Sequence, residues 1–299
     1  MSGGKVKPSL SWEQQSALLV ERGLSDADRA SELFLQANNY YRFSGYARYF
    51  QRAPHTGDNR FKPGTTFADV RRIYDDDQAV REMLIGQLAC VEVLLRAHTA
   101  YVIGQTYGAY GHYLDEAFYT DVGDRERTLD ACLRDLERSK ERHILRFSSR
   151  PQGPATFERL PVWSAVEAWS FGTLSKCIER GARGTLANDV ANSLGVAKSG
   201  FAYRVRALVY LRNRCAHHSR LWHHSVIDAG PTPNNVRVKA KRVAGQFEPR
   251  SVLDVVASLD DLLVRSRVAE PLLPAIVIRY RGNPLYWQGL CHPQQSVDG

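Results

Sequence analysis

The chain has 299 residues, 43% hydrophobic and 24% charged, the composition of a folded globular protein and not of a disordered or fibrous one. Its net charge of +8 comes mostly from arginine, so it leans towards a polyanionic partner and leaves RNA, DNA or an anionic membrane surface open. Five widely spaced cysteines without a C-x-x-C pair exclude a disulfide framework and read as reduced thiols.

The N-terminal "MSGGKVKPSL" has no apolar leader, and no uninterrupted apolar run reaches the roughly 18 residues of a membrane span. These features predict a cytoplasmic protein with no membrane partner. In chain order, "SWEQQSALLVERGL" opens on a Ser11 cap and predicts a helix ending at Gly23, with Ala17, Leu18 and Val20 inward. A second helix is predicted to cap at Ser25 and to bury Ala30, Leu33, Phe34 and Ala37. An aromatic segment with Tyr40, Tyr41, Phe43 and Tyr46 follows, and the stretch from Arg52 to Thr66 reads as a loop.

From Thr66 the longest helical pattern places Leu84, Leu88, Val91, Leu95 and Val102 on one stripe. Glu92 and Arg96, four apart on another face, read either as a solvated ion pair or as support for a site. A charged helix with Leu129, Cys132, Leu133 and Leu136 buried comes next. Then come a helix with a tryptophan pair in "PVWSAVEAWSFGTLSKCIERG" and a strong helix whose inner face is Phe201, Val205, Leu208 and Val209. After Asp228 the pattern weakens. "VRVKA" reads as a short strand or hairpin arm, and "SVLDVVASLDDLLVRSRV" returns to helix. No repeat at a fixed period is present, so the chain reads as a mainly α bundle with a less regular C-terminal third.

The helix with Phe201 runs into "YLRNRCAHHSRLWHH", Tyr210 to His224, which contains Arg212-Asn213-x-x-x-His217. On a straight helix Arg212 and His217 lie roughly 140° apart and about 7.5 Å along the axis. They converge only if the helix ends or bends between them, or if a second copy supplies the missing half. Arginine and histidine in a last helical turn also complement the macrodipole, which is a purely structural role. His217, His218, His223, His224 and Cys215 hold enough nitrogen and sulfur for zinc, but they lack the separated ligand pairs of a zinc site. No metal or other cofactor is therefore expected, and no Walker loop, G-x-G-x-x-G, H-E-x-x-H or G-x-S-x-G occurs.

Arg237, Lys239 and Lys241 would share one face of a strand, with Arg242 beside them, and so form either a phosphate-tracking edge or an ordinary exposed loop. Tyr41 and Arg42 combine a ring and a cation as base-stacking sites do, although such aromatics also build cores.

The R-N-x-x-x-H element at the end of an apolar helix resembles the signature of the HEPN ribonuclease superfamily. Its extension "RNRCAHHSRLW" is more specific. Together with "KPSLSWEQQSALLVERGL", "ANNYYRFSGYARYF", "TFADVRRIYDDDQAVREMLIGQLACVEVLLRAHTAY", "YGAYGHYLD", "PVWSAVEAWSFGTLSKCIE" and "GNPLYW" it resembles the AbiD/AbiF-like abortive-infection family of bacterial phage-defence proteins, in the family's order from Lys7 to Trp287.

The resemblance implies a HEPN-like helical bundle as one domain over 1–299. Residues 1–66 would be an N-terminal helical extension, 67–225 the helical core with the motif, and 226–299 a basic loop and C-terminal helix that could carry a short β-hairpin. It implies a metal-independent endoribonuclease toxin whose products end in 2′,3′-cyclic phosphate. Arg212, Asn213 and His217 would be catalytic, supported by Glu92, Arg96 and His218. From their own chemistry and not from the resemblance, Tyr41, Arg42, Arg220, Arg237, Lys239, Lys241 and Arg242 are the candidates for binding RNA. A homodimer or higher homo-oligomer would bring two motifs together, and a small noncoding RNA would neutralise the toxin. The alternative is a catalytically silent RNA-binding subunit of a defence ribonucleoprotein.

Overall fold

The structure, a computed structural model, describes residues 9–121, 123, 126–147, 153–226, 230 and 232–293. It is mainly helical and falls into two compact units, 9–80 and 81–293.

The first unit begins with α1 (Trp12–Glu21), where Ser11 and Gln14 form a reciprocal capping box. Leu19 and Ser16 face inward while Ala17 and Val20 are exposed, a rotation of the buried stripe from the one predicted. α2 (Arg29–Asn38) is capped by the Asp28 carboxylate, not by Ser25, and buries Phe34 and Leu35 while Leu33 and Ala37 stay in solvent. α3 (Tyr40–Ala47) follows directly. The stretch predicted as loop holds the one sheet among the described residues, an antiparallel pair of β1 (Gln51–Ala53) and β2 (Asp58–Phe61). Gly57 at φ 93° makes that turn, a conformation open to glycine. The core is aromatic. Phe43 stacks on Phe67 at 5.3 Å, Phe34 meets both rings edge-on, and Tyr46 donates to the buried Asp77 carboxylate at 2.6 Å.

α4 (Phe67–Thr106) runs through both units. Leu84, Leu88, Val91 and Leu95 are fully buried and Val102 nearly so, as their spacing predicts. By length and mean composition alone, α4 passes the test for a membrane-spanning helix, with a mean hydropathy of 1.2 over 18 residues, 44% buried, a test that a core helix of a soluble protein also passes. A search for an uninterrupted apolar run misses it because Glu92 and Arg96 lie inside the helix.

The second unit continues with α5 (Thr128–Arg138), α6 (Arg142–Leu145), α7 (Val162–Ala168), α8 (Phe171–Arg180) and α9 (Leu186–Ser193). The predicted tryptophan-pair helix is thus two helices, divided where Ser170 takes the N-cap of α8 and accepts from Thr173 N–H. α10 (Phe201–Ala216) packs on α8, α9 and α12 (Val252–Ser266). The buried Arg204 joins α10 to α12, donating to Ser258 Oγ at 2.9 Å, to its carbonyl at 3.0 Å and to Asp261 at 2.9 Å.

The expected C-terminal hairpin is absent among the described residues. "VRVKA" lies in α11 (Asn234–Ala244), because Val236, Ala240 and Ala244 repeat every four residues and bury one helical face. Residues 227–229, 231 and 294–299 of the segment predicted over 226–299 lie outside the described residues. α13 (Leu272–Tyr280) and α14 (Pro284–Cys291) complete the unit.

α14 fastens the chain that follows α10. Trp222 is buried, donates from Nε1 to the Leu285 carbonyl at 3.2 Å, and lies so close to Gly289 that a Cβ there would collide with the indole. Gly289→Ala is therefore expected to destabilise the protein by about 1–3 kcal/mol, read as a lower urea midpoint with an unchanged slope.

Candidate functional site

The buried positions of α10, among them Phe201, Val205, Leu208, Leu211 and Cys215, repeat at three and four residues. Seating that stripe leaves Arg212 half-buried and Asn213 and His217 exposed. The helix ends at the motif. His217 is the C-cap with its N–H on the Asn213 carbonyl at 2.9 Å, and His218 turns the chain away at φ 52°. The His217 imidazole has no hydrogen-bonding partner among the described residues.

Arg212 is held from α4. Its Nε and Nη2 donate to Glu92 Oε2 at 3.2 and 3.1 Å, and its Nη1 donates to Asn213 Oδ1 at 3.0 Å. The other Glu92 oxygen accepts from Arg96 Nη2 at 2.6 Å, and Arg96 Nη1 donates to the Val166 carbonyl. Beneath Arg212 lies the Phe171 ring, 5.7 Å away. Glu92 and Arg96 are thus no solvated pair: their side chains are 15% and 11% exposed. One carboxylate between two guanidiniums leaves one net positive charge, and the more exposed member is Arg212.

The remaining histidines separate by burial. His223 is buried, with its N–H on the Gly289 carbonyl at 2.8 Å and Nδ1 against the His292 carbonyl at 3.2 Å. His224 Nε2 meets Tyr210 Oη at 2.6 Å, with the two rings parallel. Burial, reinforced by Arg214 and Arg220, pushes His224 down to about 3, and burial likewise lowers His223. Both are neutral near pH 7, and Tyr210 then donates to the unprotonated His224 Nε2. Arg214 donates from Nε to the Arg220 carbonyl at 3.1 Å, closing the turn that carries His218. No cluster of three metal-ligating side chains occurs among the described residues.

The predicted RNA-binding residues are scattered. Arg237 and Lys241 do not share a strand face with Lys239, because α11 turns them onto the Phe247 ring at 5.9 and 5.6 Å, and Arg237 pairs with the buried Asp254 at 3.1 Å. Lys239 and Arg242 are exposed elsewhere on that helix. Tyr41 is 86% exposed and Arg42 half-buried, both in the other compact unit, whereas Phe43 and Tyr46 are core. Phe171, Trp222 and Gly289 escape a reading by motif because they act only through contacts across the chain.

A family model described as Abi-like protein matches residues 33–223, which span both compact units and include the whole of the site on α4 and α10. No curated protein and no solved structure matches the chain.

The depressed His224 gives stability a sign with pH. The unfolded chain, with an ordinary histidine value near 6.5, binds a proton that the folded chain refuses until about 3. Stability is therefore expected to fall as pH drops from about 6.5 towards 3. The substitution His224→Gln, which can still accept from Tyr210, is expected to reduce the difference between urea midpoints measured at about pH 7 and about pH 5.

Proposed function

Since the chain belongs to the Abi-like protein family, we propose that it is a phage-defence abortive-infection protein acting as a metal-independent endoribonuclease of the HEPN type. The observation that carries the reading is the pairing of an unpartnered, exposed His217 with an Arg212 whose guanidinium is fixed by Glu92, five residues apart where α10 ends.

RNA cleavage without a metal needs three things: a proton removed from the 2′-hydroxyl, a proton delivered to the leaving 5′-oxygen, and positive charge on the phosphorane. One imidazole takes the 2′-proton as the 2′-oxygen attacks phosphorus and the bond to the 5′-oxygen breaks, giving a 2′,3′-cyclic phosphate and a 5′-hydroxyl. A second imidazole protonates the 5′-oxygen. Arg212 supplies the fixed charge, and Asn213 offers an amide beside it to a phosphate oxygen. His218 and Arg220, on the turn beyond His217, lie where the strand would leave the site.

Each chain has one motif histidine, so acid and base together require two copies. The exposed side of α4 next to Glu92 suits that pairing: Ile85, Ala89 and Val93 face solvent without a charge among them, so two such faces meet across a two-fold axis without repulsion. A toxin of this kind would act in the cytoplasm, and a small noncoding RNA binding the same charged surface would neutralise it.

The purified protein is expected to cut total bacterial RNA in EDTA and leave 2′,3′-cyclic ends, while His217→Ala and Arg212→Ala leave the RNA intact. Cleavage that requires added metal, or that survives His217→Ala, would refute the mechanism. RNA bound but left whole by wild type would instead make the protein a silent RNA-binding subunit.

A further inference from the structure

Arg96 has a second setting besides its bond to Glu92. The carbonyl of Val166 that accepts its other nitrogen borders a groove of about 450 Å³ between α4 and α7. Small side chains, Ala97 and the buried Ala100, line it from α4. Two large rings are also among its lining, Tyr101 at 63% and Trp163 at 53% exposed, far above what core aromatics show. Trp163 meets Tyr110 edge-on, ring centres 6.2 Å apart and inclined at 67°, and remains 53% exposed. Gln105 and Glu167 stand among the groove's lining residues as an amide and a carboxylate.

We propose that this groove is a nucleobase subsite for a single-stranded RNA, with the base stacked on Trp163 and its hydrogen-bonding edge turned to Gln105 and Glu167. The inference rests on the ribonuclease reading above for its RNA, but on the groove alone for its chemistry.

Three observations select a base over other occupants. The one cation in the lining, Arg96, is already bonded to Glu92 and to Val166, and Glu167 adds a negative charge, so the groove does not suit a phosphate. Exposed aromatic rings with polar groups beside them are the means by which proteins hold unstacked bases. A carboxylate, moreover, presents two acceptors side by side, which match the adjacent N1–H and N2–H donors of guanine.

The position also fits a strand crossing the motif. Arg212 meets α4 at Glu92, and Tyr101 lies nine residues further on, about 13 Å along the axis. A stacked strand covers that distance in no more than roughly four nucleotides. The Arg81 side chain reaches the Ser219 carbonyl at 3.5 Å on the other side of Glu92. The chain beyond His217 therefore lies towards the start of α4 and the groove towards its end. A strand running along this helix would put its phosphate at Arg212 and a neighbouring base in the groove.

Titrating the full-length protein with GMP while following tryptophan emission tests the proposal, with ribose 5-phosphate as the control that has a phosphate and no base. We expect GMP to quench the wild type and ribose 5-phosphate to leave it unchanged. Trp163→Phe removes the responding ring and the quench with it. Ala97→Leu fills the groove from an exposed helical position and abolishes the quench with Trp163 still in place. On a short single-stranded RNA, Trp163→Ala is expected to lose about tenfold in affinity, the scale of one lost stack.

No response to GMP, or a quench that persists in Ala97→Leu, overturns the subsite. A particle mass that falls in Ala97→Leu, with GMP inert, gives the groove to a second copy of the chain instead. The two readings fail separately, since GMP binding needs no cleavage. RNA cut by a protein that ignores GMP ends the base subsite and keeps the ribonuclease; GMP bound by a protein that cuts nothing does the reverse.

Discussion

The site depends on one carboxylate. Glu92 accepts from Arg212 with one oxygen and from Arg96 with the other, and so ties the motif helix α10 to the long helix α4. Without Glu92, two guanidiniums would lie close together at low exposure with no carboxylate between them, at a cost in desolvation and repulsion. With it, Arg212 is stiff, keeps one net positive charge at the surface, and needs no reorganisation to meet an anion. The helix end does the rest. Because α10 stops at Ala216, His217 stands at a terminus and not on a packed face.

Burial assigns the four histidines of the segment to different work. His223 and His224 are pressed into the protein, held neutral, and spend their nitrogens on the His292 carbonyl and the Tyr210 hydroxyl. His217 and His218 are exposed. The tryptophan between these pairs is the fastening. Trp222 fits against a helix position where only glycine leaves room, so α14, distant in sequence and beyond the family match, shapes the turn that follows the motif.

The sequence announces what depends on periodicity and hides what depends on contact. The buried stripe of α4, the inner face of α10 and the helix from Val252 are legible because apolar residues recur at helical spacing. The reading fails on short segments. Val236, Val238 and their alternating basic neighbours satisfy a two-residue and a four-residue period equally over five positions, and the alanines at 240 and 244 decide for helix. The hairpin at Gln51–Phe61 is hidden by its polar composition, and the first two helices present stripes shifted from those predicted. At the site, the motif is visible as letters, and the spacing of Glu92 and Arg96 suggests a pair. That Glu92 turns to Arg212, 120 residues away, is a fact of packing alone.

If Glu92 serves the site by fixing Arg212, a double-mutant cycle shows the two residues coupled. Affinity for a short single-stranded RNA at low salt would be measured for wild type, Glu92→Gln, Arg212→Ala and the double variant, each shown to be folded. Glu92→Gln is expected to weaken binding severalfold in the wild-type background and to add little once Arg212 is gone. Losses that simply add would mean that Glu92 and Arg212 work independently, and that Glu92 does not act through Arg212.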